Sequence, residues 1–343
     1  MKRFSAPGGR SLCAISVRLQ GLAALVWFVT ALALHAAIIT EDFATNPLNR
    51  EWRVFGDSNL FILNQESQSL TVTWDSSRGN SYYYLPLGNI LNREDDFTIA
   101  LDLELVDFYA GVNPNKASTF ELALGFMNIG DGVKTNFYRG NSSLAPNLVE
   151  FDFFPDTEFG PTIWPSVWST NSSLNYSGPA DYTILSLPTG IVMRVVMSYA
   201  ASNQTLSTSV TTNGISIGAI RSLSLSSTFT DFRVNAFALE SYSDAGQDPR
   251  YGGSLLAHGR VDNIVVKVPS PPVQNLAVTL TNQLWQVSFN SRTNWLYGVE
   301  RSTDLQTWMS ASQMLSGNGQ SIFWQDTNAP ATKAFYRVRA ERP

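Results

Sequence analysis

Short stretches in which apolar and polar residues alternate run through most of the chain. In Ser69-Leu-Thr-Val-Thr-Trp74 every second side chain is apolar, and residues 98–105 repeat the pattern. A period of two is typical of a β-strand with one buried face. No stretch of comparable length has the 3.6-residue period of an amphipathic helix. We therefore expect an all-β protein whose strands, separated by Gly-, Asn-, Pro- and Ser-containing loops, form a sandwich or jelly roll.

The same pattern divides the chain into two parts. Further strands are predicted at residues 120–127, 148–154, 191–199, 205–211, 232–239 and 260–268. The opening segment 38–43 and the last of these strands bracket a first domain at residues 38–268. Pro269-Ser-Pro-Pro272 follows, and because proline cannot donate to a β-ladder we interpret residues 269–273 as a linker.

Residues 274–343 are predicted to form a small β module. Its candidate strands lie at residues 276–280, 284–289, 297–301, 308, 321–324 and 334–339. The segments Tyr297-Gly-Val-Glu-Arg-Ser-Thr-Asp-Leu-Gln-Thr-Trp308 and Ala334-Phe-Tyr-Arg-Val-Arg-Ala340 resemble those of fibronectin-like or immunoglobulin-like modules of secreted bacterial proteins. The resemblance implies a small β-sandwich that serves as a spacer or docking unit, with no chemistry of its own.

The first 37 residues have the three parts of a secretory signal peptide. Four basic residues and no acid accompany the start of the chain, an apolar run follows at residues 21–34, and His35-Ala-Ala37 offers small residues for cleavage. The apolar run is shorter than the ~20 residues that span a bilayer, and the alternative is an uncleaved N-terminal anchor. We expect residues 1–37 to be removed and the mature chain to be secreted, periplasmic or on the cell surface, without a membrane segment.

Removal of the signal also restricts the chemistry that remains. Cys13 is the only cysteine and leaves with it, so no internal disulfide is expected. The mature chain keeps 19 basic and 28 acidic residues, a net charge of −9, which argues against nucleic acid as a partner. His258, expected in a loop before the closing strand, is the one remaining histidine, which argues against zinc sites and Ser-His-Asp triads.

One predicted strand carries two acids on an otherwise apolar background. In Leu148-Val-Glu-Phe-Asp-Phe-Phe-Pro-Asp156, the side chains of Glu150, Asp152 and Phe154 share one face of an extended chain. Neighbouring carboxylates require a cation, hydrogen bonds or solvent to offset their charge. Oxygen ligands in this arrangement suit Ca²⁺ or Mn²⁺. The alternative is a solvated concave face without a metal.

This stretch resembles the metal-binding strand of legume-type lectins, a Glu-x-Asp-x-aromatic-Pro-Asn run. The resemblance implies a concanavalin A-like jelly-roll sandwich for residues 38–268. It also implies a calcium site, and its ligands would be Glu150, Asp152, the backbone carbonyl of Phe154, and Asp156 in place of the asparagine. The family's next aspartate and its histidine are absent, so we expect at most one metal ion.

Laminarinase-like glycoside hydrolases share this fold and carry a Glu-x-Asp-x-(x)-Glu strand. Glu150 would then be the nucleophile, but Phe154 and Pro155 stand where the acid/base glutamate belongs, and Glu158 lies beyond the proline. Retaining hydrolysis requires two carboxyl groups about 5–5.5 Å apart. Only a carboxylate from another strand would complete the mechanism, so catalysis is the alternative and a non-catalytic role is expected.

Aromatic residues suggest a binding surface. Trp164, Trp168 and Tyr176 fall in a Pro- and Asn-containing stretch that we interpret as a loop. Exposed rings stack on sugars while amides and carboxylates bind hydroxyls, although such rings are commonly core residues. The sequence thus favours a secreted, non-catalytic, lectin-like protein whose partner is a polysaccharide or glycan, with cell-surface proteins as further partners. The alternatives are a laminarinase-like hydrolase and a purely structural cell-surface module.

Overall fold

The computed structural model describes residues 37–110, 121–139, 145–157, 160–170, 183–246, 254–281, 284–330 and 333–343. Helix in these ranges is limited to α1 (Ile129–Gly132) and two 3-10 turns, Pro47–Asn49 and Ser58–Leu60. No helix in these ranges is long and apolar enough to cross a membrane. The remaining regular structure is β, so the predicted all-β class is confirmed.

Sixteen strands precede the predicted linker. In chain order they are β1 (Ala37–Glu41), β2 (Arg53–Phe55), β3 (Phe61–Asn64), β4 (Ser69–Asp75), β5 (Ser81–Leu91), β6 (Phe97–Ala110), β7 (Leu122–Met127), β8 (Leu148–Phe154), β9 (Thr162–Trp168), β10 (Thr183–Ile184), β11 (Val192–Ala200), β12 (Thr205–Thr212), β13 (Ile215–Ser216), β14 (Leu223–Ser224), β15 (Val234–Ser241) and β16 (Leu255–Val268). The strands predicted from alternation lie within a few residues of these bounds.

These strands form two antiparallel sheets. The nine-stranded sheet has the order β13-β12-β11-β6-β16-β4-β3, with β1 also paired to β16 and β14 to β12. The seven-stranded sheet has the order β10-β9-β8-β7-β15-β5-β2. Their inner faces share one hydrophobic core, to which Leu101 and Val266 contribute from the first sheet and Phe126 and Phe151 from the second. The two-sheet sandwich predicted from the sequence is therefore confirmed.

The sandwich closes by pairing its first strand with its last. Ile38 in β1 lies opposite Lys267 in β16, and the antiparallel register continues to Glu41 opposite Ile264. The central strand β6 pairs with both β11 and β16. Because β16 holds β1, β4 and β6 together, segments far apart in the sequence depend on this one strand for their hydrogen bonds.

Seven strands follow the predicted linker. They are β17 (Gln274–Thr281), β18 (Leu284–Asn290), β19 (Leu296–Ser302), β20 (Met309–Ser310), β21 (Leu315–Ser316), β22 (Ser321–Asp326) and β23 (Phe335–Glu341). One sheet has the order β17-β18-β22, and in the other β19 pairs with β20, β21 and β23. Val287, Phe289 and Tyr297 belong to their shared core. The fibronectin-like or immunoglobulin-like assignment of this module stays a prediction.

Candidate functional site

Strand β8 places the two predicted acids on the outer face of the seven-stranded sheet. Glu150 lies opposite Ser166 of β9 and Gly125 of β7, and Asp152 lies opposite Trp164 and Ala123. Phe151, between the two acids, points into the sandwich core instead. The acids thus share a face, as the alternation of strand side chains predicts.

Small residues on neighbouring strands make room above this face. Ala123 and Gly125 lie in β7, and Ala238 of β15 lies opposite Gly125. A Cβ atom built on Gly125 would lie 2.2 Å from the carbonyl oxygen of Val149, far inside van der Waals contact. Only glycine therefore allows β7 and β8 to approach this closely.

The guanidinium of Arg139 fills that space. Its Nε donates to Oε2 of Glu150 at 2.6 Å, and its Nη2 donates to Oδ2 of Asp152 at 2.7 Å and to Oγ of Ser166 at 3.2 Å. Its Cζ lies 4.6 Å from the centroid of the Trp168 ring. Arg139 comes from the segment after α1, is 2 % exposed, and contacts two acids that are fully buried. Pairing and stacking together offset the cost of burying the charge.

Two more acids surround this arginine, and with Glu150, Asp152 and Arg139 they form what we call the carboxylate cluster. Glu121 precedes β7 and its Oε1 lies 3.5 Å from Nε of Arg139, while Glu240 belongs to β15. Neither oxygen of the fully buried Glu240 has a hydrogen-bond partner among the described residues. The cluster therefore has four carboxyl groups to one guanidinium.

Burial controls the protonation of this cluster. It raises the pKa of Glu121 to about 7, with the Glu150 carboxylate acting in the same direction and Arg139 opposing it. Burial, reinforced by Glu150, also raises the pKa of Glu240 and of Asp152 well above the ordinary range. Burial therefore favours the protonated form of Glu240, since an ionised carboxylate without a partner is costly inside a protein.

Tyrosine hydroxyls border the cluster on the β5 and β15 side. Tyr242 donates to Oε1 of Glu150, and Tyr82 donates to the backbone carbonyl of Gly132 at 3.1 Å. Burial, reinforced by Glu150 and Glu240, raises the pKa of both phenols well above the usual value. Both therefore stay protonated and act as hydrogen-bond donors.

Trp164 and Trp168 lie in β9, so the interpretation of their stretch as a loop was wrong. Pro165 was the reason for the loop interpretation, because a proline cannot donate a hydrogen bond to a β-ladder. In the structure Pro165 lies opposite Phe151 of β8, while the two-residue β10 pairs with β9 only at Thr162 and Ile163. A missing donor is tolerated where a strand is paired on one side.

The two indoles are 7 % and 4 % exposed, so neither ring is presented to solvent as sugar stacking requires. Their role as ligand contacts stays a prediction, and Tyr176 lies outside the described residues. The alternative of a solvated concave face for Glu150 and Asp152 was wrong, because both acids are fully buried and bonded to Arg139.

The expected calcium ligands are not arranged around one shared cation position. Glu150 and Asp152 direct an oxygen each at Arg139, Phe154 is half-buried, and Asp156 is exposed. In the described part of the chain no group of three or more His, Cys, Asp or Glu side chains has the geometry of a metal site. The residues as arranged do not fit a divalent cation, and the calcium site stays a prediction.

His258 also differs from its expected position. It lies within β16 rather than in a loop, and its Nδ1 is 2.6 Å from Oδ1 of Asp107 on the outer face of the nine-stranded sheet. Both side chains are more than a third exposed. An exposed His-Asp pair of this kind has no nucleophile beside it in the contacts it makes.

A cleft lies where loops of the sandwich meet the C-terminal module, and we call it the rim cleft. It encloses about 510 Å³ and is lined by Asn92, Arg93, Glu94, Thr230, Asp231, Asn294, Arg342 and Pro343. The backbone N–H of Arg93 donates to Oδ1 of Asp231 at 3.3 Å, and Nη2 of Arg342 is 3.5 Å from Oε2 of Glu94. All but one of the lining residues offer a polar side chain, and the charged ones balance.

Asp95 fixes the module side of the rim cleft. Its Oδ1 accepts from Nη2 of Arg292 at 2.9 Å, and its Oδ2 accepts from Nη1 of Arg342. Both guanidiniums also lie over the ring of Trp295, at 5.7 and 5.6 Å from its centroid. A buried acid of the sandwich thus holds two arginines of the module.

No protein-family model and no curated protein matches the chain. Among solved structures, the chain is similar to the Lotus tetragonolobus seed lectin, with 12 % identity, a TM-score of 0.43, and coverage of 68 % of this chain and 98 % of the lectin. Peanut lectin gives 14 % identity and a TM-score of 0.39 over 69 % of this chain and 99 % of its own. The alginate lyase Aly36B gives 10 % identity and a TM-score of 0.40, with coverage of 68 % of this chain and 97 % of the lyase. Likeness at this level carries no information about a ligand.

Proposed function

We propose that the chain is an exported carbohydrate-binding protein and that a neutral glycan binds in the rim cleft. The observation that carries this proposal is the cleft itself. Its volume of about 510 Å³ is within the range of small-ligand sites, roughly 300–1,000 Å³, but such sites are mostly apolar. A lining of amide, hydroxyl, carboxyl and guanidinium groups instead suits a ligand covered with hydroxyl groups.

The balance of charge in the cleft supports a neutral sugar. Arg93 and Arg342 are matched by Glu94 and Asp231, so neither sign dominates. A cleft that selected sulfated or uronic sugars would need an excess of positive charge. Export is part of the same proposal and rests on the basic and apolar N-terminal residues and the small residues at 36 and 37.

Titration calorimetry of the purified chain against a panel of neutral oligosaccharides tests this function. The substitutions Glu94→Gln and Thr230→Ala change two exposed cleft groups, and Glu66→Gln and Thr40→Ala are matched controls on exposed residues away from the cleft. We expect at least one sugar to bind, and each cleft variant to weaken it by about tenfold, the value of one hydrogen bond. A panel without any binding would favour the purely structural role, and binding unchanged in the cleft variants would exclude this site.

A glycoside hydrolase is the second candidate, and Glu240 is the observation that favours it. This residue places a buried carboxyl group of raised pKa on the face that carries Glu150, and the sequence pattern of β8 lacks such a second carboxyl group. Arg139 and the burial of both acids argue against it, since substrate would have to displace the arginine. Release of reducing sugar from β-glucans that is lost in both Glu150→Gln and Glu240→Gln, and kept in Glu104→Gln, would establish hydrolysis.

A further inference from the structure

The spacing of Glu150 and Asp152 allows a single positive charge to contact both side chains. Alternate residues of a strand are about 7 Å apart, so a single cation between the two side chains reaches both carboxylates. The guanidinium of Arg139 is at that position, with donor-to-acceptor distances of 2.6 Å to Glu150 and 2.7 Å to Asp152. Oε2 of Glu150 and Oδ2 of Asp152 both accept hydrogen bonds from it, and Oε1 of Glu150 accepts one from Tyr242.

We infer that Arg139 is a tethered cation that stands in place of a divalent metal ion, so that this face of the sandwich is assembled without a metal. The surroundings suit a guanidinium rather than an ion coordinated by oxygen alone. Ser166 accepts the third hydrogen bond of the group, from Nη2, and the Cζ atom lies over the Trp168 ring at 4.6 Å from its centroid. A planar, weakly hydrated and permanently charged group benefits from both contacts.

Glu121 and Glu240 are buried beside the same arginine, and burial favours the protonated form of both carboxyl groups. Glu240 has no hydrogen-bond partner among the described residues, and burial keeps the pKa of its carboxyl well above the ordinary range. The inference does not depend on glycan binding, because its readouts are metal content and folding stability.

The first test uses the purified chain after treatment with EDTA. Its metal content is measured by elemental mass spectrometry, and its melting temperature is measured with no addition, with Ca²⁺ and with Mn²⁺. We expect less than stoichiometric metal and the same melting temperature in all three conditions. One tightly held ion per chain, or a melting temperature raised by either metal, overturns the inference.

The second test removes the tethered charge. In Arg139→Ala the vacated space faces Glu150 and Asp152 without the cation that they share, so we expect a lower melting temperature that low concentrations of guanidinium ion, Ca²⁺ or Mn²⁺ partly restore. Arg194→Ala is the matched control, because it breaks a half-exposed ion pair with Asp102 elsewhere on the sandwich. Restoration in the control as well, or in neither variant, overturns the inference.

A compensated variant covers the case in which Arg139→Ala does not fold. Adding Glu150→Gln and Asp152→Asn removes the charges that the arginine neutralises and keeps the shapes of both side chains. We expect this triple variant to fold and to melt without any response to metals or guanidinium. A triple variant that also fails to fold would show that Arg139 acts through packing on Trp168, and the inference would fall.

Discussion

Tyr242 and Arg139 bind different oxygens of the Glu150 carboxylate, since the Tyr242 hydroxyl donates to Oε1 and the Arg139 guanidinium donates to Oε2. Both oxygens of this fully buried acid therefore have a strong donor. Glu240, on the strand that leads to Tyr242, has none among the described residues. Glu150 is thus well supplied with donors, whereas burial favours the protonated form of Glu240.

Replacing Tyr242 by phenylalanine tests the importance of that donor. The ring would stay in the core while one oxygen of a buried carboxylate would lose its partner. Such a loss costs about 1.5–3 kcal/mol when the acceptor is charged. We expect a decrease of this size in the unfolding free energy measured with urea. Tyr109→Phe, at a side chain that is 55 % exposed, serves as the control, and equal stability of the two variants would contradict the assignment.

The cluster predicts that stability falls as the pH rises. Burial raises the pKa of Glu121 from the ordinary value of 4.5 to about 7, so the folded chain binds more protons than the unfolded chain between these values. The stabilisation is complete below pH 4.5 and is lost as the pH rises through 7. Glu240 acts in the same direction, since its pKa is also raised.

Glu240→Gln isolates this effect from the other ionisable groups. An amide cannot ionise, so the variant should lose less stability than the wild type as the pH rises above the ordinary glutamate pKa of 4.5. Urea unfolding at a series of pH values measures the difference, with Glu66→Gln as an exposed control. If the unfolding free energies of the wild type and Glu240→Gln change with pH in parallel, Glu240 does not contribute to the pH dependence of stability and the prediction is wrong.

Gly125→Ala should be strongly destabilising even though it adds one methyl group. The new Cβ would meet the backbone oxygen of Val149 at 2.2 Å and the Cα of Glu150 at 2.8 Å, so β7 and β8 would have to separate. Overpacking against a flexible side chain costs about 1–3 kcal/mol, and rigid backbone should put the loss at the upper end. Gly79→Ala, where a Cβ meets nothing within 4 Å, should change the melting temperature little.

Asp95→Asn tests the attachment of the module to the sandwich. The substitution removes the charge that pairs with Arg292 and Arg342, and both side chains are largely buried. Breaking a buried pair costs about 3–5 kcal/mol, whereas Asp107→Asn in the exposed pair with His258 should cost less than about 1 kcal/mol. Unfolding followed by tryptophan fluorescence compares them. Equal losses would mean that the arginines find other partners.

Much of the fold could be predicted from local patterns. Alternation located β4 and β12 almost to the residue, because a strand with one buried face requires apolar side chains at every second position. Strand β9 was missed because both its faces are buried and it contains Pro165, so that neither the alternation nor the composition of a strand is visible there.

The sequence by itself determined that the chain is all-β and that Glu150 and Asp152 share a face, since both follow from the period of a strand. Tertiary structure alone decided what meets that face. Arg139 reaches the two acids from a loop, and Glu121 and Glu240 come from segments 29 and 90 residues from Glu150. The charge of a carboxylate does not indicate whether water, a metal or a guanidinium will neutralise it. That choice depends on long-range packing, and here packing buried the acids beside one arginine.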